Sequence, residues 1–147
     1  MSAAKWPPPE IPLVEGDYAV TGNWQIHLSK PFARRFDKGS LVLWRPGLTL
    51  WIAAWNNDDH QSQAVRLAQL RGWASPARFD TRESTSDGIA RFSYRLREES
   101  AGRIVNSIYA WMIWGDEYMQ LAVYYDDVSD AAVAQSLVDG VSHQVRS

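Results

Sequence analysis

Between Ile104 and Tyr125 apolar and aromatic residues alternate on both sides of one tight-turn signal, Gly115-Asp116. A glycine in the first central position suits a two-residue type II′ hairpin turn. That turn length pairs Met112 with Met119, Ala110 with Leu121 and Ile108 with Val123. Successive side chains of a strand point to opposite sides, so one face of this hairpin is aliphatic. The other carries Tyr109, Trp111, Ile113, Tyr118, Ala122 and Tyr124. A hairpin without a polar face is expected in the middle of a sheet. The same design recurs in Leu41–Asn56 about Pro46-Gly47, the dipeptide of a type II turn. There Leu41, Leu43, Leu50 and Ile52 share one face, and Val42, Trp44, Trp51 and Trp55 share the other.

The remaining segments are less symmetrical. Four prolines between Lys5 and Asp17 predict an extended, partly polyproline II arm, with Trp6 able to dock on an aromatic groove. Tyr18–Leu28 reads as one half-exposed strand with Trp24, Ile26 and Leu28 inward and His27 outward. Ser29–Ser40, with Lys30, Arg34, Arg35 and Lys38, reads as a basic connection between strands. Asp58 and Gln61 suggest a capped helix start, and Gly72 a left-handed cap just past the end. Ala64, Leu67 and Ala68 form its apolar stripe, Leu70 its margin, and Arg66 and Arg71 its wet side or C-terminal end.

A third hairpin, Ala77–Glu83 with Ile89–Arg97 about Asp87-Gly88, would turn Phe79, Thr81, Phe92, Tyr94 and Leu96 inward. Its charged side would set Asp80 opposite Arg95. The last helix is expected after Ser129 as N-cap, with Val128 stapled to Val133 and Ala134, Leu137, Val138 and Val141 buried. The expected class is therefore α+β, an antiparallel sheet of about seven strands with two main helices in the order β-β-β-α-β-β-β-β-α. Residues 1–17 would form the arm and 18–147 a single domain.

Composition narrows the function more by exclusion than by suggestion. The chain has 147 residues, 46% hydrophobic and 22% charged, enough for one domain with a substantial core. Zero cysteines remove disulfides, zinc–thiolate sites and thiol catalysis, and suit a reducing, cytoplasmic setting. A net charge of −2 supplies no general attraction to nucleic acid or anionic membrane. No apolar run is long enough for a membrane-spanning helix, and the proline-rich start does not read as a signal peptide. Eight tryptophans are the compositional excess that needs a reason.

Candidate chemistry is sparse. Asp58, Asp59 and His60 carry ligand-type atoms, but adjacent positions do not converge on a metal as i, i+4 spacing does, and helix capping accounts for the aspartates. There is no nucleophile elbow and no phosphate-cradling glycine motif. The expectation is a non-enzyme with no cofactor and no bound metal. The basic stretch Lys30, Arg34, Arg35, Lys38 could hold a phosphate or an acidic partner, against the simpler reading of a solvated loop.

Three segments carry a family resemblance. Ile26-His27-Leu28-Ser29-Lys30-Pro31-Phe32 is a strand running into proline, Ala90-Arg91-Phe92-Ser93-Tyr94-Arg95 follows an Asp-Gly turn, and Tyr124-Tyr125-Asp126-Asp127 leads into a final amphipathic helix. Together they resemble the PsbP-like superfamily, which includes DcrB-like bacterial proteins. The resemblance implies an antiparallel sheet between helices and a binding, adaptor or chaperone-like role, with no catalytic motif to carry over. Exported relatives carry a signal peptide and a lipobox cysteine; this sequence has no cysteine and its opening residues read as those of an unexported protein.

Area arithmetic points the same way. Seven strands at ~4.8 Å make a sheet roughly 30 Å wide, and a helix covers about 10 Å of it, so two helices leave apolar sheet uncovered. The candidate binding face is Trp44, Trp51, Trp55, Tyr109 and Trp111. A protein partner or a second copy of the chain is the expected occupant, with a small apolar or aromatic ligand in a pocket beside the sheet as the rival. The competing reading is that these rings are core beneath the alanine-rich helices.

Overall fold

The computed structural model describes residues 6–21, 23–56 and 61–144. The chain forms strands β1 (Leu13–Thr21), β2 (Trp24–Asp37), β3 (Ser40–Arg45) and β4 (Leu48–Asn56), then helix α1 (Gln63–Trp73). Strands β5 (Phe79–Ser86), β6 (Ile89–Ser100), β7 (Arg103–Trp114) and β8 (Glu117–Tyr125) follow, then α2 (Ala131–Asp139) and the two-residue β9 (Ser142–His143). All pair antiparallel in one sheet ordered β1-β2-β3-β4-β8-β7-β6-β5, with β9 beside β2. The expected α+β class is what the chain adopts, with nine strands among the described residues. No helix among them is long and apolar enough to cross a membrane.

The central hairpin is β7–β8, and its register is the one its turn dictates: Met112 opposes Met119, Ala110 opposes Leu121 and Ile108 opposes Val123. Gly115, at φ +55°, takes the left-handed position of the turn. The second hairpin, β3–β4, is likewise in the register expected from Pro46-Gly47. β4 then pairs with β8 over nine consecutive residues, Leu48 opposite Tyr125 through Asn56 opposite Glu117, and this seam joins two four-stranded meanders.

Each helix lies across one face. After β8, α2 crosses the aliphatic side, where Ala134, Leu137, Val138 and the following Val141 pack with Trp24, Ile26, Leu28, Leu43, Leu50, Met112, Met119 and Leu121. Between β4 and β5, α1 crosses the aromatic side and sets Leu70, flanked by Leu67 and Ala74, against Phe92, Tyr94, Leu96 and Ile113.

Several local expectations are corrected. Tyr18–Leu28 is two strands, β1 ending at Thr21 and β2 starting at Trp24, and β1 begins at Leu13, inside the stretch read as an arm. The basic stretch is not a loop: Lys30, Arg34 and Arg35 belong to the 14-residue β2, and Lys38 sits in the turn after it. Proline at 31 is tolerated where β1 is irregular, since the β1–β2 register slips between Val14 and Gly16. The expected Asp58 cap lies outside the described residues, and the side chain that caps α1 is Ser62, accepting from the Val65 amide at 3.2 Å. Gly72 is inside α1 and does not adopt a left-handed φ; the helix ends through extended Ala74. Ala64 and Ala68 are exposed while Arg66 is buried, so α1 is rotated from the predicted stripe. Val128 and Val133 are both largely exposed, and Asp127 caps the turn ahead of α2 by accepting from the Ser129 amide.

The third hairpin turns on Asp87 and Gly88, both left-handed as a type I′ turn needs. Its register then slips by one residue between Arg82 and Phe79, because Asp80 adopts φ +52° in a bulge. Arg95 therefore opposes Phe79 rather than Asp80, and β5 is exposed throughout, Phe79 and Thr81 included. Asp80 still reaches Arg82 at 3.1 Å and Arg95 at 3.6 Å. Arg91 and Arg95 lie on the α2 side, where Arg91 donates to the Val141 carbonyl at 2.8 Å.

Two predictions follow from this geometry. A Cβ on Gly88, at φ +77°, would meet Trp114 Nε1 at 3.2 Å, whereas one on Gly72 meets nothing within 4 Å. Gly88→Ala should cost more than about 1 kcal/mol and Gly72→Ala should stabilise by about 0.5–1 kcal/mol. Thermal melts giving the reverse order would refute these placements. The second concerns acid. The Arg82 hydrogen bond holds Asp80, and the Arg71 hydrogen bond holds Glu83, below the ordinary carboxylate range. Their contribution is thus present at neutral pH and lost as pH falls through those lowered values. Hydrogen exchange should show β5 opening on acidification below about pH 4 before β7 and β8 do; simultaneous loss of protection would contradict it.

Candidate functional site

Strand register sorts the aromatic face into cross-sheet rows. Trp55, Tyr118, Ile113 and Ala90 make one; Ala53, Gln120, Trp111 and Phe92 the next; Trp51, Ala122, Tyr109 and Tyr94 a third. Each row sets one ring directly opposite another (Trp55–Tyr118, Trp111–Phe92, Tyr109–Tyr94) and spaces the remaining rings with smaller residues, which lets neighbouring rings lean over one another. Ring centroids are 5.3 Å apart for Trp55–Tyr118, 5.9 Å for Phe92–Trp111, 5.6 Å for Tyr94–Trp111 and 6.4 Å for Tyr109–Trp111. These are stacked or tilted pairs of the kind that add about 0.5–1.5 kcal/mol beyond burial.

Burial grades across this ladder. Phe92 and Tyr94, under α1, are closed off from solvent. Tyr109, Trp111, Tyr118 and Tyr124 are half-buried, as are Trp51 and Trp44, and Trp55 is 43% exposed. Among the described residues α1 covers the β6 end of the face and reaches Tyr118 on β8 through Arg66, and no helix crosses the β4–β3 end. All five predicted residues are on this face, with Trp51, Trp55, Tyr109 and Trp111 gathered around β8 and Trp44 farther out on β3 beside Arg35, whose guanidinium lies 5.3 Å from its ring.

Where α1 meets the ladder there is a cleft of about 280 Å³, bounded by Trp55, Trp73, Trp111, Tyr118, Arg66 and Gln120. Arg66 lies 4.5 Å over the Tyr118 ring and Trp73 is 71% exposed. Neither stood out from periodicity, because Arg66 reads as a wet helix position until the helix rotation is known. Tyr109 and Tyr124 share a hydroxyl–hydroxyl bond of 2.6 Å. Burial, then that bond, pushes the Tyr109 phenol above its ordinary value, so it stays a neutral donor or acceptor at physiological pH.

The basic residues do not converge. Arg34 donates to the Tyr18 hydroxyl at 3.3 Å, Arg35 is on the opposite side of β2 against Trp44, and Lys38 occupies the turn. Strand alternation splits what a loop could have gathered, so the four do not form one anion site. Asp58, Asp59 and His60 lie outside the described residues. Among the described residues no three His, Asp or Glu side chains are grouped to hold a metal.

The two described histidines have opposite settings. His27 is exposed and meets Asp17 at 2.8 Å. His143, with its side chain 1% exposed, stacks on Trp114 at 4.1 Å, meets Trp24 edge-on at 4.8 Å, and bonds Glu117 through Nε2 at 2.7 Å. With β9 it fastens the segment after α2 to β2. His143→Ala should destabilise by about 2 kcal/mol through the cavity it leaves. His27→Ala should change stability by less than about 0.5 kcal/mol, as exposed ion pairs do. Equal effects in denaturant titrations would contradict the assignment.

No protein-family model and no curated protein matches this chain. Among solved structures, a Bacteroides thetaiotaomicron VPI-5482 crystal structure superposes with a TM-score of 0.67 at 12% identity, over 90% of this chain. The chain spans 50% of the length of that structure. LpqN, described as involved in cell envelope biogenesis of Mycobacterium tuberculosis, aligns over 88% of this chain and 83% of its own with 11% identity and a TM-score of 0.48. The first likeness shows a shared fold; the second carries no weight at that score.

Proposed function

We propose that this chain is a non-catalytic binding protein, adaptor- or chaperone-like, that uses its aromatic sheet face to hold an apolar segment of a partner protein. One observation carries the reading: Tyr109 and Trp111 pack against the core under α1, Trp55 stacks on Tyr118 beside them and Trp51 follows on β4, and every one of these rings keeps surface open to solvent. The competing assignment makes these rings core beneath the helices; that Ala64 and Ala68 of α1 face solvent favours the binding role. Rings with polar edges bind at low conformational cost, and Gln120, Arg66 and the Tyr109–Tyr124 hydroxyls supply hydrogen-bonding groups among them. The proposed kinship with the PsbP-like superfamily, whose members act mainly in binding, agrees with this role. The 280 Å³ cleft supports a second reading, a small aromatic ligand lodged between Trp55, Trp73 and Trp111.

The test separates core from contact. Trp51→Ala and Trp111→Ala should each cost about 1–2 kcal/mol of stability while a photo-crosslinking side chain at position 51 captures a discrete protein in the native host. The same probe at exposed Glu99 should capture nothing. Stability losses near 3–5 kcal/mol with no captured protein at position 51 would make the rings ordinary core and end the proposal. A captured second copy of the chain, seen as a dimer in light scattering, would replace the partner by self-association.

A further inference from the structure

On the opposite side of the sheet, a cleft of about 380 Å³ opens where the β3–β4 turn and β2 meet α2. Its floor is apolar: Phe32, Leu48 and Leu137 are all nearly closed to solvent, and Val133, 46% exposed on α2, forms the lip. The walls carry charge. Lys30 and Arg45 come from β2 and β3, and Asp130 from the turn before α2. His27 also borders the cleft, but its Nδ1 is engaged by Asp17.

Arg45 is the unusual member. It is half-buried, yet no carboxylate lies within ion-pair distance of it among the described residues. It donates a hydrogen bond from Nη1 to the Pro31 carbonyl at 2.6 Å. The centres of the Phe32 and Trp6 rings lie 5.7 Å and 5.8 Å from the guanidinium. A half-buried guanidinium bonded to one carbonyl and flanked by rings retains unused N–H donors, and carboxylate is the group whose geometry matches them. Lys30 likewise has no ion pair among the described residues, so the cleft presents two uncompensated cations against one acid. An apolar floor with a cationic rim fits an amphiphilic anion, and the volume is that of a small-molecule site, too small for a folded partner.

We propose that this cleft binds a small carboxylate with an apolar body, the acyl portion on Phe32, Leu48 and Leu137 and the carboxylate on Arg45 with Lys30. Asp130 opposes the ligand charge and sets an upper limit on affinity. The site is separate from the aromatic face and does not depend on the binding role proposed for it.

Octanoate and its neutral isostere octanamide, titrated into the full chain and followed by amide chemical shifts, test the assignment. Octanoate should saturate a single site with shifts centred on Ser29–Phe32, Arg45–Leu48 and the start of α2, and octanamide should bind at least about tenfold more weakly. Arg45→Gln should weaken octanoate by about tenfold, exposed Lys30→Gln by a smaller factor, and Asp130→Asn should strengthen it. Trp51→Ala should leave the titration unchanged. Equal affinity for acid and amide, shifts centred on Trp51 and Trp111, or no saturable binding at millimolar octanoate would overturn the proposal. So would Lys30→Gln and Arg45→Gln proteins with native-like spectra and unaltered affinity.

Discussion

The pairing of β4 with β8 is the contact on which the rest of the structure depends. It joins two meanders, each of which could form locally from hairpins, into one sheet through nine residue pairs. Both strands at this seam are apolar on both faces, so joining them leaves two dry surfaces where an ordinary antiparallel sheet has one wet side. The chain meets that demand with its two helices, one per face. α1 is also the crossover that carries the chain from the middle of the sheet at β4 to the far edge at β5.

The two faces are covered unequally, and the difference is chemical. On the aliphatic side, α2 brings small and branched residues that interlock with Leu, Ile and Met, and the segment after it returns to pin His143 between Trp24 and Trp114. On the other side α1 contributes chiefly Leu70 to a field of rings much wider than itself. Aromatic rings stacked and tilted on one another across strands tolerate this, because each ring shields part of its neighbour. The same property makes such a field suitable for recognition. Half of the tryptophan excess has this structural origin: Trp44, Trp51, Trp55 and Trp111 are wide, flat side chains on the face that its helix covers only in part.

At the sheet's β5 edge, protection comes from charge and irregularity. The left-handed Asp80 shifts the β5 register by one residue, and a one-residue slip moves every later side chain to the other face. That single backbone choice takes Phe79 out of the core and places it under the Arg95 guanidinium, 5.0 Å away. Asp80, Arg82 and Glu83 then make β5 a poor template for another strand.

What the sequence determined by itself is what local physics determines. Two-residue turns at Gly115-Asp116 and Pro46-Gly47 leave one register each, so the pairs Met112–Met119 and Leu43–Leu50, and the division of aliphatic from aromatic residues, were legible without coordinates. The five rings of the candidate face were legible for the same reason, since strand alternation puts them on one side once the hairpins are known. What only the tertiary structure decided depends on contacts between distant segments. The rotation of α1 that buries Arg66 over Tyr118 and exposes Ala64 answers to the shape of the ring field, not to the weak periodicity of the helix itself. The basic stretch became strand because β1 and β3 offered β2 hydrogen-bonding partners on both sides, a gain invisible in its own composition. The enclosure of His143 and the cleft at Arg45 both require segments tens of residues apart to meet, and burial of that kind is a property of the assembled sheet.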